Sequence, residues 1–293
     1  MSSKVDGGDK AYVTQRDIED GLKRVGLRSG DCVLVHSSLS RFGYVEGGAD
    51  TVIDALLHVV DTDGTLMMSA ITTSGEFISE CIRASSEGRV ADVQPFDPNK
   101  RKSWAGTIPE NFRKRPGVIR SLHPTHSVSA YGKLAEEMCR DHENAPGPCG
   151  KNTPYMRLGE IERGFILLLG INHQSNTAIH GIEELANLEY VLYPGWCRIP
   201  IVTSSGIQEA HTRVHTPSLG RNLNALETAY IDGRAQTVTI IGDSCVRLIN
   251  VKRMTEISLN ALKKDPWLFI TPGSKKTYEW MKQHNDFTRK PTQ

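Results

Sequence analysis

Residues 165–190 of this 293-residue chain read FILLLGINHQSNTAIHGIEELANLEY. The unbroken apolar run 165–169 predicts a strand that is covered on both faces, and Gly170 closes it with a turn. A helix is predicted to follow, with Asn176 or Thr177 as its cap. Its apolar residues recur at three-residue spacing and give it one face for the core: Ile179, Ile182, Leu185 and Leu188.

The other face of this predicted helix carries an acid and a base. His180 precedes Glu183 by three residues and Glu184 by four, so either carboxylate can lie beside the imidazole one turn on. A carboxylate in that place fixes the tautomer of the imidazole and stabilises the imidazolium, as an oriented general base requires. On spacing alone a solvated surface pair is the commoner arrangement. The pattern therefore makes His180 a candidate base and leaves the surface pair open.

The composition is that of an ordinary globular protein, with 38% hydrophobic residues, 24% charged residues and a net charge of +1. Such a charge creates no field that would favour a nucleic acid as partner. No run approaches the roughly 20 apolar residues of a membrane span, so no membrane association is predicted. The first ten residues lack the apolar core of a signal peptide, and we expect a cytoplasmic protein. The six cysteines form no CxxC pair, which indicates reduced thiols.

Strands and helices alternate along most of the chain. The predicted elements are strands 32–36 and 65–69 around a helix over 51–60, hairpins over 197–214 and 236–249, and helices over 221–231 and 251–264. This order favours a parallel or mixed sheet with a more antiparallel C-terminal half. We expect a single α/β domain over residues 10–272 and a helical tail over residues 273–293.

Residues 72–104 interrupt this alternation and predict a long connection of the kind that forms lids or binding loops. Its acidic side chains are candidate contacts for a cationic ligand, although solvated charges are the commoner case: Glu76, Glu80, Asp92 and Asp97. Thr107 and Glu110 form a capping-box pattern, which predicts a helix start just after Gly106. The backbone N–H groups of that start are suited to an anion or a developing oxyanion.

Two histidines enter the same neighbourhood in SLHPTHSVSAYG at 121–132, where His123 and His126 flank Pro-Thr. Together with His173, His180 and Glu183 they supply the ligand types of a catalytic zinc site. Their spacing lacks the HExxH pattern. The sequence therefore predicts no metal.

Five sequence blocks follow one another over most of residues 12–270: VHSSLSRFG at 35–43, GTLMMSA at 64–70, FDP at 96–98, AGTIPENFRKRPGVIRSLHPTHSVSAYG at 105–132 and SNTAIHGIEE at 175–184. In order and loose spacing they resemble the aminoglycoside 3-N-acetyltransferase family. The resemblance implies a mixed-sheet α/β sandwich of the antibiotic N-acetyltransferase type. It also implies transfer of an acetyl group from acetyl-coenzyme A to the 3-amino group of an aminoglycoside, an activity that confers antibiotic resistance.

The family pattern NTxxHxxE, carried onto this chain, implies His180 as the catalytic base and Glu183 as its partner. The residues implied around the coenzyme are Ser37, Ser38, Ser103, Gly106, Arg120, Ser121, His123 and His126. The expected contacts of the acceptor are Asp97, Asn176 and Glu184. Many relatives have an Asp shortly before the SNT block, where this chain has Asn172-His173-Gln174. The loss of that carboxylate weakens the case for a strongly cationic acceptor and keeps another amine metabolite as an alternative.

Two other classes of protein are alternatives to the acetyltransferase. A serine hydrolase would use Ser37 or Ser127 with His180 and Glu183, but the GxSxG elbow is absent. A non-catalytic coenzyme-binding protein would have no need of a base, and the presence of both His180 and Glu183 argues against it.

Overall fold

The computed structural model describes residues 10–288. Two stretches lie outside the described part. One is residues 1–9, which make up most of the N-terminal stretch that lacks a signal-peptide core, and the other is residues 289–293 at the end of the predicted tail. Within residues 10–288, no helix combines the length and the apolar character that crossing a bilayer requires.

A mixed seven-stranded sheet runs through the centre of the molecule. The strands are β1 (Tyr12–Val13), β2 (Cys32–Ser37), β3 (Tyr44–Val45), β4 (Thr65–Ser69), β5 (Ile119–Arg120), β6 (Val128–Gly132), β7 (Gly164–Leu169), β8 (Cys197–Thr203), β9 (Gly206–Thr212), β10 (Gln236–Ile241) and β11 (Ser244–Asn250). The central sheet has the order β10-β11-β7-β2-β4-β6-β5. Strand β2 is parallel to β4 and β7, whereas β6 and β11 are antiparallel to their neighbours. The predicted mixed α/β sheet is confirmed.

Helices cover both faces of this sheet. They are α1 (Gln15–Val25), α2 (Ala49–Val60), α3 (Gly75–Ser86), α4 (Thr107–Arg113), α5 (Ala135–Cys139), α6 (Pro154–Arg157), α7 (Ala178–Leu185), α8 (Glu227–Asp232), α9 (Val251–Lys264) and α10 (Pro272–His284). Along β2 the side chains alternate, so Val33 and Val35 pack with α1, α2 and α4 while Leu34 packs with α5, α7 and α9. A sheet buried on both faces explains the continuous apolar runs of its central strands.

The pairing of β2 with its parallel neighbours brings the candidate residues to one edge of the sheet. Ser37, at the end of β2, is paired with Leu169 at the end of β7, so the turn that leads into α7 starts beside it. Strand β4 ends at Ser69, which is paired with Val128 at the start of β6. The turn that carries His126 therefore lies at the same edge, where open α/β sheets commonly bind ligands.

The long connection predicted over 72–104 contains a helix, which corrects that part of the sequence reading. Ser74 caps α3 by accepting a hydrogen bond from the Phe77 N–H at 3.2 Å. The buried face of α3 is short and weakly apolar, and it packs in a third core cluster with β8 and α10. Tertiary contacts of this kind stabilise a helix whose periodicity alone is weak.

Three element boundaries also differ from the prediction. Helix α8 begins at Glu227, and residues 221–226 form no helix. Helix α7 ends at Leu185, so Leu188 lies beyond it. The predicted tail begins with α10, a helix of 13 residues that buries Tyr278 and Met281 in the third core cluster. Its burial ties the tail to the rest of the molecule.

Candidate functional site

Helix α7 presents His180 and Glu183 side by side. Ala178, Ile179 and Ile182 are fully buried against the core, which turns His180 toward the edge of the sheet. The Glu183 Oε2 lies 2.9 Å from the His180 Nδ1, while the Glu183 side chain is inaccessible to solvent and that of His180 is 21% exposed. Because the carboxylate engages Nδ1, Nε2 of the imidazole is left for a ligand.

Glu183 has a second partner that the sequence analysis did not identify. The Arg221 Nε donates to the Glu183 Oε2 at 3.0 Å. Burial by itself would raise the pKa of Glu183, but the hydrogen bond with His180 and the charge of Arg221 hold it below its ordinary value. Glu183 is therefore a fixed negative charge behind the imidazole. No local pattern indicates Arg221, since it lies 38 residues away in the sequence.

A cavity of about 340 Å³ opens in front of His180. Its lining includes His36, Ser37, Ser69, Asn176 and Thr177. Within residues 10–288, neither the His36 Nε2 nor the Ser37 Oγ has a hydrogen-bond partner, although both atoms are buried. Burial lowers the pKa of His36 to about 4, so its imidazole is neutral at physiological pH. Unpaired polar atoms on two residues of the cavity lining indicate a place for a polar ligand.

The cavity adjoins two others through shared residues. Ser37 also lines a cavity of about 490 Å³ with Ser38 and Gly106, and Gly106 in turn lines one of about 1080 Å³. The largest cavity contains Asp97 and Ser103 in its lining. Ser37, Ser38, Ser103 and Gly106 were predicted to contact the coenzyme and Asp97 the acceptor. The structure places all of them around adjoining cavities, one of which His180 lines.

Gly106 lines the two larger of these cavities and has a φ of +112°, a backbone conformation that residues with side chains rarely adopt. It is the N-cap of α4, which has seven residues, and its side chain cannot cap the helix. Glu110 does not complete the predicted capping box. Its Oε2 accepts instead from the Ser103 N–H at 3.0 Å and from the Arg113 Nε at 3.0 Å.

Arg120 and its neighbours have interior partners, which differs from the predicted coenzyme contacts. The Arg120 guanidinium donates to the Ser127 Oγ at 2.9 Å and to the Ala70 carbonyl at 2.7 Å, and burial lowers its pKa to about 10. Ser121 bonds to the His142 Nδ1 at 2.9 Å. These groups stabilise the bottom of the site. Because their hydrogen-bond donors are already engaged, they are not free to bind a phosphate.

His123 is also interior. It is fully buried, and its Nδ1 accepts from the backbone N–H groups of Thr125 at 3.3 Å and His126 at 3.2 Å. Burial lowers the pKa of His123 well below its ordinary value. Its geometry supports the turn that carries His126 and gives no direct approach to a coenzyme.

Asn176 shapes the start of α7. Its Oδ1 accepts from the Ala178 N–H at 3.3 Å, whereas Thr177, at the N-cap position, makes no side-chain capping bond. The Asn176 amide also bonds to the His173 Nδ1 at 3.2 Å. Asn176 thus orients the turn that leads to His180, and it lines the cavity of about 340 Å³.

Glu184 turns away from His180 and holds a separate imidazole. It accepts hydrogen bonds from the backbone N–H groups of Cys149 at 2.9 Å and Gly150 at 2.8 Å, and its Oε1 lies 2.8 Å from the His215 Nε2. Burial raises the pKa of Glu184 to about 8 against the effect of those N–H groups. With both oxygens engaged, Glu184 offers no free carboxylate to the acceptor contact that the sequence predicted.

Helix α7 and the loop around Cys149 are in close contact. A Cβ atom at position 181 would lie 2.2 Å from the Cys149 carbonyl oxygen, so only glycine fits there. His215 reaches the same place from the segment after β9, and its ring centroid is 5.1 Å from that of His180. The sequence analysis did not identify His215, because nothing near it in the chain indicates the contact.

Comparison with known proteins gives a consistent result. The family model described as aminoglycoside 3-N-acetyltransferase matches residues 34–263. Aminoglycoside N(3)-acetyltransferase III of Salmonella sp. is 32% identical over 243 residues, which are 80% of this chain and 81% of that protein. The crystal structure of aminoglycoside acetyltransferase AAC(3)-Xa is 28% identical with a TM-score of 0.75, covering 86% of this chain and 93% of its own. AAC-IIIb, solved as a binary complex with CoASH, is 25% identical with a TM-score of 0.74, and the match covers 89% of this chain and 99% of that chain.

Proposed function

Because the chain belongs to the aminoglycoside 3-N-acetyltransferase family, as its motifs predicted, we propose that it transfers an acetyl group from acetyl-coenzyme A to the 3-amino group of an aminoglycoside. The observation that carries the proposal is the His180–Glu183 pair, which joins a buried carboxylate to an imidazole beside a cavity with unpaired polar atoms. The name of the relative from Salmonella sp. supports the acceptor. The relative solved with CoASH supports the coenzyme.

His180 acts as the general base in this proposal. An amine is largely protonated at neutral pH, so its nitrogen has to lose a proton before or as it attacks the thioester carbonyl. An ammonium group releases its first proton to solvent before the attack. Nε2 of His180 accepts the second proton as the C–N bond forms, and Glu183 stabilises the resulting imidazolium through Nδ1. The C–N bond forms, the C–S bond breaks, and the departing thiolate takes a proton from the imidazolium. The reaction requires no acyl-enzyme.

The polar atoms of the cavity in front of His180 fit the acetyl end of the coenzyme. His36 and Ser37 place an uncharged imidazole and a hydroxyl there, each able to donate a hydrogen bond to a carbonyl oxygen. Donors that meet the developing oxyanion in a closed cavity commonly supply the largest part of transition-state stabilisation. The cavity that Ser37 shares with Ser38 and Gly106 is the continuation in which we place the pantetheine chain.

A different amine acceptor is the second candidate, and the charge of the largest cavity favours it. Four basic residues line that cavity, namely Lys100, Arg101, Lys102 and Lys114. The acids in its lining, Asp97 and Glu110, are themselves ion-paired, with Lys100 at 3.6 Å and with Arg113 at 2.7 Å. A polycation gains little from such a surface.

The hydrolase alternative finds little support in the geometry. Ser127 donates to the Ala70 carbonyl at 2.8 Å and accepts from Arg120, so its hydroxyl is engaged away from His180. Ser37 lines the same cavity as His180, but its hydroxyl has no hydrogen-bond partner in the described part of the chain and so lacks an activating base.

The proposal is tested by an assay of thiol release from acetyl-coenzyme A across a panel of aminoglycosides, simple amines and amines that carry an anionic group. We expect acetyl transfer that depends on His180, with aminoglycosides as acceptors. Thiol release with only the simpler or anionic amines would retain acetyl transfer and select the second candidate. A folded protein that neither binds coenzyme A nor releases thiol with any amine would contradict the acetyltransferase assignment.

A further inference from the structure

Three side chains from distant segments meet beside α7. They are His126, from the turn before β6, Cys149, from the loop before α6, and His215, from the segment after β9. One ligand atom from each, an imidazole nitrogen or the thiol sulfur, lies within 4.8 Å of the other two. Of the zinc ligands weighed from the sequence, only His126 belongs to this group. Because the three come from separate parts of the chain, no spacing pattern indicates them.

The two imidazoles have the mutual geometry of ligands on one metal ion. Their ring centroids are 4.9 Å apart and their planes are inclined by 76°. Two imidazoles that bind one tetrahedral zinc ion through nitrogens at about 2.0–2.1 Å have centroids roughly 5 Å apart. We propose that His126, Cys149 and His215 form a binding site for a zinc ion, with a fourth position open to water or another small ligand.

Each imidazole is oriented by a partner on its other nitrogen. The His215 Nε2 bonds to the Glu184 Oε1 at 2.8 Å, and the His126 Nδ1 bonds to the Thr125 Oγ1 at 2.9 Å. These bonds leave the His215 Nδ1 and the His126 Nε2 available as ligand atoms. A metal-binding histidine usually donates the N–H of its other ring nitrogen to a carboxylate or another acceptor, which orients the imidazole toward the metal. Glu184 is itself held by the backbone N–H groups of Cys149 and Gly150, so it joins two of the ligands.

The charges of the site suit a dication. The Glu184 side chain is 5% exposed, and among residues 10–288 the only basic side chain at hydrogen-bonding distance from it is the His215 imidazole. A zinc ion displaces the proton of the Cys149 thiol to solvent and binds the thiolate. The dication also favours the ionised form of Glu184. With two neutral imidazoles, one thiolate and one carboxylate, the site is then neutral overall, which lowers the cost of burying the carboxylate. His126 and His215 are each partly exposed, so an ion has a route of entry.

Metal binding by the purified full-length chain tests this site independently of acetyl transfer, since neither coenzyme nor acceptor is needed. The protein is stripped with a chelator and titrated with Zn²⁺ in competition with an indicator, and Co²⁺ is added in a parallel sample. We expect one equivalent of zinc per chain. With Co²⁺ we expect the absorption band that indicates a thiolate–cobalt bond.

Variants assign the ligands. Cys149→Ser is expected to abolish the thiolate–cobalt band and His215→Gln to abolish stoichiometric zinc binding, whereas Cys245→Ser, which alters a partly exposed cysteine of β11, retains both. Glu184→Gln weakens zinc affinity by about 10–100-fold, as loss of a supporting carboxylate does. His215→Gln keeps the test decisive if Cys149→Ser does not fold. The site is disproved if the native protein binds no zinc beyond the level of His215→Gln, or gives no thiolate band with Co²⁺.

Discussion

Glu183 and Glu184 are adjacent on α7, both are buried, and each contacts an imidazole, yet their pKa values shift in opposite directions. Glu183 also has Arg221, and its pKa is lowered. Glu184 has backbone N–H groups but no arginine, and burial raises its pKa. At Glu183 the hydrogen bond with His180 and the charge of Arg221 together outweigh the effect of burial, whereas at Glu184 burial outweighs the backbone N–H groups. Only the first pair has the fixed charge that a general base needs.

The largest effect is expected from the base itself. His180→Ala should lower kcat by roughly 10²–10⁴-fold, the usual contribution of a general base, while coenzyme A affinity stays near that of the native enzyme. Steady-state kinetics and calorimetry measure the two quantities. His58→Ala is the control, because His58 is a surface imidazole of α2 that also contacts a glutamate, Glu19. Native turnover in folded His180→Ala would remove this residue from the mechanism.

Removal of the arginine should make Glu183 resemble its neighbour. Arg221→Gln leaves Glu183 buried without its cation, and breaking such a buried pair costs about 3–5 kcal/mol of unfolding free energy. Urea denaturation measures this loss. Arg198→Gln, which breaks an exposed pair with Glu209, is the control and should cost about 1 kcal/mol or less.

The same variant has a predicted pH effect. A lowered pKa means that the stability contributed by ionised Glu183 is present above the pKa of the unfolded chain and is lost as the pH falls through the folded value. Without Arg221 the pKa of Glu183 rises, so activity and stability should decline at a higher pH on the acid side than in the native enzyme. An unchanged acid limb would show that Arg221 does not control this carboxylate.

The two carboxylates can be compared directly by neutralising each in turn. Glu183→Gln removes a charged hydrogen bond to the base and should lower kcat/KM by about 10–100-fold. Glu184→Gln should have the smaller effect on kcat/KM, because Glu184 contacts His215 and not His180. Kinetics at saturating coenzyme measure both variants. Equal losses of kcat/KM in the two variants would mean that the imidazoles of His180 and His215 act as one unit.

The smallest effect concerns the acceptor. Asp97→Asn at the largest cavity should raise KM for a polycationic aminoglycoside by up to about fivefold with little change in kcat, since partly exposed ion pairs contribute about 0.2–1 kcal/mol. The increase should shrink as salt is added. Asp92→Asn alters an exposed acid of the same segment outside the cavity lining and serves as control. No response at Asp97 would favour an acceptor that is not a polycation.

The sequence predicted the parts of the site that are local. His180 and Glu183 lie one turn apart, so their spacing predicted that the two side chains could meet, and the family resemblance pointed to a catalytic pair rather than a surface pair. The positions of Arg221 and His215 and the unpaired Nε2 of His36 depend on how distant segments pack, and spacing carries no information on them. Arg120, Ser121 and His123 were expected at the coenzyme because motifs show which residues recur. They do not show whether a side chain faces the ligand or the interior.

The fold was predictable for a similar reason. Continuous apolar runs indicated the central strands, and turn residues indicated both hairpins. The mixed sheet and the family that were predicted in this way are confirmed. Helix α3 was not predicted, because its buried residues, Cys81, Ile82 and Ala84, form too short an apolar face to stand out from the polar residues around it. Its partners lie in β8 and α10, far along the chain.

The contact at Gly181 restricts how this enzyme can change. Since no side chain fits between α7 and the Cys149 carbonyl, a larger residue at position 181 would force apart the helix that carries the base and the loop that carries Cys149. Such a substitution would disturb the alignment of His180 at the same time. Variation in acceptor preference is therefore easier in the cavity of about 1080 Å³, whose lining includes Lys100, Lys102 and Trp104 but no residue of α7.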